Sequence, residues 1–137
     1  MKTKTCIFTI LLAGGLSNSH AQDTWTQKAD VGGAPRASAV GFSIGSKGYI
    51  GTGSDFITTN YKDFWEYEPA SNTWTQKADF GGTARGGAAG FSIGSKGYIG
   101  TGSDTPNLYR KDFWEYDSTT NTWTQKADFG GLQDFWL

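Results

Sequence analysis

The chain repeats itself with a period of 49 residues. The heptapeptide Thr-Trp-Thr-Gln-Lys-Ala-Asp begins at residues 24, 73 and 122. Between these copies the register is kept without an insertion. Residues 42–55 are identical to residues 91–104, and residues 62–67 are identical to residues 111–116. A repeat of this length is one structural unit that buries its apolar surface against its neighbours, so the sequence predicts a series of equivalent packed units.

Within one period the sequence predicts four short strands. The first, residues 38–44, alternates the large side chains of Val40, Phe42 and Ile44 with small ones, as a strand with two different faces would. The other strands are predicted at residues 47–52, 62–67 and 73–77, and in the second repeat at residues 87–93, 96–101, 111–116 and 122–126. The chain has 20 glycines, nine phenylalanines, six tyrosines and six tryptophans, a composition typical of strands joined by tight turns.

Several repeated residues carry a family resemblance. They are Arg36, the strand that ends at Ile44, Gly48-Tyr49-Ile50, Gly51, Gly53, Asp63, Tyr67 and Trp74. In order and spacing they resemble the kelch repeat, although the double glycine of that family is loosened here to Gly51-Thr52-Gly53. The resemblance implies an all-β fold of four-stranded antiparallel propeller blades. It covers proteins that only bind, as well as sugar-acid mutarotases and galactose oxidases, so it constrains the fold more than the function.

The repeat divides the chain into five parts. Residues 22–35 are predicted to form an orphan outer strand, at 24–28, and a linker. Residues 36–84 and 85–128 are two complete blades. Residues 129–137 are expected to be the truncated start of a further repeat, and residues 1–21 form a separate segment.

Residues 1–21 have the pattern of a secretory signal peptide. Lys2 and Lys4 make the start basic, residues 6–16 are an apolar run, and Ser19 and Ala21 are the small residues of a cleavage site after Ala21. The apolar run is shorter than the roughly 20 residues that a membrane span needs. We therefore expect a secreted, periplasmic or cell-surface protein.

Cleavage after Ala21 would remove the single cysteine, Cys6, and the single histidine, His20. The mature chain would then have no disulfide, thiol nucleophile, imidazole base or Cys/His metal site, and we expect no metal and no cofactor. A galactose-oxidase activity is excluded for this chain, and an enzyme is not favoured. The alternative to a binding module is that the chain forms part of a sugar-acting, epimerase-like propeller enzyme. The net charge of −1 offers no basic surface for a nucleic acid.

Two blades are fewer than the about four to eight of a propeller. Each end of such a pair would expose an aromatic-rich blade face, and large apolar surfaces normally find a partner. Three explanations stay open. The chain is a fragment of a longer propeller or the remnant of its gene, it assembles with itself into a ring, or it docks onto another propeller.

The two repeats differ most between strands two and three, at residues 56–61 and 105–110. A second difference, at residues 34–38, falls on the same face of a propeller, and a third, at residues 68–71, falls on the opposite face. Variable loops on a fixed scaffold favour a binding module for a protein or glycan, although loops that drift freely would look the same. The candidate ligand contacts are Asp55, Tyr61, Asp104, Asn107, Tyr109 and Arg110, with Arg36 and Arg85 nearer the axis.

The repeated aromatic residues are predicted to pack between blades instead of stacking on sugars. They are Trp25, Phe42, Tyr49, Trp65, Trp74, Phe91, Tyr98, Trp114 and Trp123. Arg36 and Arg85 have two interpretations, an anion clamp or a brace between blades. The carboxylates of Asp63 and Asp112 are expected to accept backbone N–H groups of the next turn.

Overall fold

The computed structural model describes residues 24–104 and 108–130, and it is an all-β arrangement of two propeller blades. Blade 1 is a four-stranded antiparallel sheet in sequence order. Its strands are β1 (Val40–Ile44), β2 (Lys47–Gly51), β3 (Phe64–Glu68) and β4 (Thr73–Lys77). Blade 2 repeats it with β5 (Ala89–Ile93), β6 (Lys96–Gly100), β9 (Phe113–Asp117) and β10 (Thr122–Lys126). A two-stranded sheet, β7 (Ser103–Asp104) and β8 (Leu108–Tyr109), lies in the second loop.

The eight strands predicted for the two blades are confirmed, with shifted ends. The innermost strands begin at Val40 and Ala89, two residues later than predicted, because Ser38 and Gly87 have φ values of 52° and 66° that extended strands do not adopt. The third strand of blade 1 begins at Phe64 instead of Lys62, whose carbonyl accepts a 2.8 Å hydrogen bond from the amide of Phe80 in the linker to blade 2.

The core is the interface between the two blades. Blade 1 presents what we call the large face, and blade 2 receives it on what we call the glycine face. The large face of blade 1 consists of Val40, Phe42, Ile44, Tyr49 and Phe64. The glycine face of blade 2 consists of Gly90, Gly97, Ile99, Tyr116 and Trp123. Ile99, Tyr116 and Phe64 are fully buried there, and burial of such side chains stabilises by about 1.5–3 kcal/mol each.

Two glycines make this close approach possible. A Cβ atom at Gly90 would lie far inside van der Waals contact with Cγ1 of Val40, and a Cβ at Gly97 would overlap the ring of Phe42. Large residues on one face therefore need residues without side chains on the other. This is the large-against-small alternation seen in the sequence, now divided between two blades.

The linker between the blades adds a second contact. Phe80 is 1% exposed and packs edge-on against Trp114 and Trp123 of blade 2, with ring centroids 6.0 and 5.2 Å away. The indole of Trp123 donates a 3.1 Å hydrogen bond to the carbonyl of Ala78, and the side chain of Asn121 accepts one of 2.9 Å from the Ala78 amide. The linker is thus held to blade 2 by both packing and hydrogen bonds.

Residues 24–28 have no strand in the structure, although they repeat the sequence of β4 and β10. Strand geometry is stabilised by pairing, and in the described part of the chain no strand lies beside this segment. Trp25 is consequently 98% exposed, whereas its counterparts Trp74 and Trp123 are half-buried. The prediction that Trp25 packs between blades is therefore wrong for a single chain.

The predicted signal peptide, the first residues of the orphan segment and most of the further repeat at 129–137 lie outside the described residues. None of the residues that the structure does describe forms a helix able to cross a membrane.

The role of Gly90 gives a test of the interface. We expect Gly90→Ala to destabilise the chain by about 1–3 kcal/mol, because the new methyl group overlaps Val40. Val40→Ala removes the overlapping atom, so the double variant should lose less than the sum of the two single losses. Urea unfolding measures all three, with Ser92→Ala, on an exposed residue of the same strand, as the control. Additive losses would show that the two residues do not meet.

Candidate functional site

The site is built where β2 and β6 end. In blade 1 the sequence Gly51-Thr52-Gly53 terminates β2, and Thr52 and Gly53 have φ values of 56° and 97° that turn the chain out of the sheet. The amide of Gly53 then donates a 2.7 Å hydrogen bond to the carbonyl of Arg85, in the other blade. The loop that follows is therefore fixed to both blades at its root.

The first loop is closed by Asp55. Its Oδ1 accepts hydrogen bonds of 2.9 Å from the amides of Ile57, Thr58 and Thr59. These backbone hydrogen bonds, that of Thr59 first, hold the pKa of Asp55 well below its ordinary value. Asp55 thus organises the loop, and its carboxylate remains ionised.

The tip of this loop presents an exposed aromatic ring. Phe56 has a φ of 61°, a left-handed conformation that costs a non-glycine residue about 1–3 kcal/mol. Its amide donates a 3.0 Å hydrogen bond to Oγ of Ser54, and its side chain is 74% exposed. The loop therefore holds a strained residue whose side chain is mostly exposed to solvent and does not pack in the core.

The second loop is organised by a different pair of residues. Strands β7 and β8 form a short hairpin, across which Arg110 donates through Nε to Oδ2 of Asp104 at 2.8 Å and through Nη2 to the same oxygen. Burial raises the pKa of Asp104, but hydrogen bonds from Arg110 and Thr83 and the charges of Arg110 and Arg85 outweigh it and leave the pKa lowered. The loops differ in structure as they do in sequence.

The two loops border one cleft of about 570 Å³. It lies between the blades, and Ser38, Gly86 and Gly87 form its floor near the innermost strands. Eight of its twelve lining residues have polar side chains. The loop residues that line it are Ser54, Asp55, Phe56, Ile57, Thr58, Thr59, Asn60, Ser103 and Asp104.

The predicted loop residues that the structure describes divide into three groups. Asp55 and Asp104 line the cleft. Tyr109 is exposed on β8, outside the cleft lining, and Arg110 reaches the cleft through Asp104. Tyr61 does not line the cleft, and its ring packs against the guanidinium of Arg36, which lies 4.5 Å from the ring centroid. Asn107 lies outside the described residues.

The structure does not place Arg36 and Arg85 at a ligand surface. The side chain of Arg36 is 4% exposed and that of Arg85 is fully buried. Each donates to both carboxylate oxygens of an aspartate at the start of the third strand, Asp63 and Asp112 respectively. Each also donates to the last carbonyl before the loop, of Thr52 or Thr101. The anion-clamp hypothesis fails because both guanidinium groups are already engaged.

The paired aspartates also differ from expectation. Asp63 accepts a 2.7 Å hydrogen bond from the indole of Trp65, and Asp112 one of the same length from Trp114, where backbone donors were expected. Burial raises the pKa of each carboxyl. The hydrogen bonds from the arginine and the tryptophan lower it by more than burial raises it, so the net shift is downward. Both carboxylates are therefore charged partners of buried arginines.

A further carboxylate, that of Glu66, is buried on the large face of blade 1, away from the cleft. It accepts hydrogen bonds from Tyr49 at 2.7 Å and from Lys47 at 2.8 Å. Burial, followed by the hydrogen bond to Glu66, raises the pKa of the Tyr49 hydroxyl. This network ties the large face to its own sheet.

Sequence reasoning missed the importance of Phe56 and Phe80. Phe56 was only part of a variable stretch, and nothing in the sequence indicated that Asp55 would fix its backbone. Phe80 was overlooked because its counterpart at position 31 is a valine, although position 129 is again phenylalanine.

No family model matches this chain, and no curated protein matches it. Among solved structures the chain is similar to the structure of YjhT, with a TM-score of 0.71 and 17% sequence identity over 82% of this chain. The match spans 44% of YjhT, so this chain corresponds to less than half of that protein. At this level of identity the likeness shows the fold.

The buried arginine pairs give a stability prediction. Asp112→Ala leaves the guanidinium of Arg85 buried without its carboxylate, and we expect a loss of about 3–5 kcal/mol in the free energy of unfolding. Asp128→Ala removes only an exposed ion pair with Lys111 and should cost less than about 1 kcal/mol. Urea unfolding near neutral pH compares the two. Similar small losses would mean that the Arg85 pair does not hold the blade.

The same pairs make the fold sensitive to acid. Because the native pKa values of Asp63 and Asp112 lie below the ordinary 3.8, the unfolded chain takes up protons first as the pH falls. The stabilisation is complete above 3.8 and is lost as the pH falls through the lowered native values. Unfolding free energies measured from about pH 7 to about pH 2 should fall less steeply in the double variant Asp63→Asn/Asp112→Asn than in the parent chain. Equal slopes would assign the acid sensitivity to other carboxylates.

Proposed function

We propose that this chain is an exported, kelch-type propeller module that binds a hydroxyl-rich ligand, such as a glycan, in the cleft between its two loops. The observation that carries the proposal is Phe56, an exposed aromatic side chain held in a left-handed backbone conformation at the edge of that cleft. Strained residues persist where the surroundings fix them, and they cluster at binding sites.

The chemistry of the cleft supports this ligand class. Hydroxyl groups of Ser54, Thr58, Thr59 and Ser103 and the carboxylate of Asp104 line it beside the Phe56 ring. Sugars offer both hydroxyl groups for hydrogen bonds and an apolar ring face that packs on aromatic side chains. A cleft with a few placed polar groups and one aromatic surface fits that combination.

The carboxylates of the cleft favour binding over catalysis. An acid catalyst that works near neutral pH needs a raised carboxyl pKa, whereas the pKa values of Asp55 and Asp104 are both lowered. The carboxylate of Asp55 is moreover occupied by three backbone amides. These groups are suited to holding the loops and accepting hydrogen bonds.

Export rests on the signal peptide predicted at residues 1–21. An exported chain would meet ligands outside the cytoplasm, and the two loops that border the cleft would contact them. The rigid blades would then serve as the scaffold, and the divergent loops would determine which ligand binds.

A titration with a panel of neutral and acidic mono- and disaccharides, followed by NMR chemical shifts, tests the proposal. We expect binding that Phe56→Ala weakens about tenfold, the size of one lost aromatic contact, while Phe56→Trp retains it. Tyr109→Ala/Arg110→Ala should also weaken it, through the loss of the Asp104 partner. Thr119→Ala, in an exposed turn between β9 and β10, is the control.

Two outcomes would contradict the proposal. One is a folded chain that binds no sugar of the panel. The other is binding that persists unchanged in Phe56→Ala, with shifts that map to a different surface.

A further inference from the structure

Each blade has a large face and a glycine face, and within the described residues one face of each kind is buried between the blades. The large face of blade 1 is buried on the glycine face of blade 2. Within residues 24–104 and 108–130 no sheet covers the large face of blade 2 or the glycine face of blade 1. The open large face consists of Ala89, Phe91, Ile93, Tyr98 and Phe113. The open glycine face consists of Gly41, Gly48, Ile50, Tyr67 and Trp74.

The exposure of these faces is unusual for apolar strands. Ile44 is 8% exposed in the internal interface, whereas its counterpart Ile93 is 64% exposed. Phe91 is likewise exposed, while Phe42 packs against the core. Contiguous apolar surface of this kind marks an interaction site.

The open large face already has the shape of the buried one. The rings of Tyr98 and Phe113 stack with centroids 5.5 Å apart at 10°, and those of Tyr49 and Phe64 stack with centroids 5.6 Å apart at 17°. Phe91 stacks on Tyr98 at 5.4 Å. Covering the face would need little rearrangement of its side chains.

The open glycine face has free space beside Gly41 and Gly48, where large side chains of another blade could pack. A Cβ atom at Gly41 would meet only the carbonyl of Tyr49 at 3.6 Å, and one at Gly48 would meet Tyr67 at 3.7 Å. These are ordinary contact distances. At the counterpart positions, Gly90 and Gly97, this space is filled by Val40 and Phe42.

We propose that a second copy of this chain packs the glycine face of its blade 1 on the large face of blade 2, repeating the internal interface between chains. The occupant is a second copy because both open faces are repeat counterparts of the two surfaces that meet inside the chain, with Ala89 in the place of Val40 as the one change on the large face. The inference does not depend on the proposed function of the loops.

The backbone offers hydrogen bonds in the same register. Inside the chain the amide of Gly53 donates to the carbonyl of Arg85, and the amide of Gly87 to the carbonyl of Ser38. Across the junction the counterparts are the amide of Gly102 with the carbonyl of Arg36, and the amide of Ser38 with the carbonyl of Gly87. The contact is thus specified by polar groups as well as by apolar ones.

The junction also assigns a role to the end of blade 2. Phe129 keeps the backbone hydrogen bond of its counterpart Phe80, here to Lys111 at 2.8 Å, yet it is 63% exposed. In the docked pair it would lie on Trp65 and Trp74 of the second copy. In a single chain this position is occupied by residues 29–33, where Ala29 donates a hydrogen bond to Asn72 and accepts one from the indole of Trp74. Docking therefore requires Phe129 to displace this segment of the second copy.

Such a contact joins two different surfaces, so it propagates head to tail and closes when the rotation permits. Residues 24–104 and 108–130 of each copy contribute two blades, so a ring of about four to eight blades built from them corresponds to about two to four copies.

Sedimentation equilibrium of residues 22–137, which include every described residue, tests the proposal. We expect a folded particle at a small integer multiple of the chain mass, in equilibrium with the monomer on dilution. Gly48→Ala, whose methyl group would overlap Phe91 of the next copy, should weaken association about ten- to hundredfold, and Phe91→Ser should weaken it similarly. Phe129→Ala should have a smaller effect in the same direction.

The control is Thr124→Val on β10. It lies on the same side of blade 2, but its counterpart Thr75 stays exposed beside the internal interface, so association should be unchanged. Circular dichroism of each variant establishes that the blades are folded. The proposal is overturned by a folded wild-type monomer at every concentration, by aggregates of no fixed size, or by association that Gly48→Ala leaves intact.

Discussion

The fold depends on the packing of the large face of blade 1 against the glycine face of blade 2. Val40 and Phe42 occupy space that any side chain at Gly90 or Gly97 would fill. A four-stranded sheet of five-residue strands is thin, and it cannot bury both of its faces by itself. The contact between blades therefore provides the core of the chain, and everything on the loop face inherits its position from it.

Buried polar groups complete what apolar packing begins. Arg85 lies beside the interface, and its guanidinium donates hydrogen bonds to Asp112, Thr101 and Thr83. Its full charge is therefore buried with hydrogen-bond partners. Its backbone carbonyl receives the amide of Gly53 from the other blade. One residue thus braces its own blade through its side chain and fixes the neighbouring loop through its main chain. The cleft has a defined shape because its two loops start from these anchored points.

The sequence was sufficient for the strands and the character of the faces, because both follow from local alternation and glycine placement. It was insufficient for burial, which depends on neighbours. Residues 42–51 and 91–100 are identical, yet Ile44 is buried and Ile93 is exposed. The same limit explains Trp25, whose packing partner is absent from the described part of the chain. Arg36 and Arg85 were interpreted as an anion clamp or a brace between blades, but each guanidinium pairs with an aspartate of its own blade. Only the positions of these aspartates decide this, and no local sequence pattern gives them. For the loops, Asp55 was predicted to lie at the site, but its capture of three amides and the resulting backbone of Phe56 depend on geometry that no sequence pattern expresses.

The most direct measurement of the central claim is a set of nuclear Overhauser effects across the blade interface. The account predicts cross-peaks between the methyl groups of Val40 and the Hα atoms of Gly90, and between the ring of Phe42 and the Hα atoms of Gly97. These protons meet only if the large face of blade 1 lies on the glycine face of blade 2. A folded chain that shows the strand pairings within each blade but neither of these contacts would contradict the account.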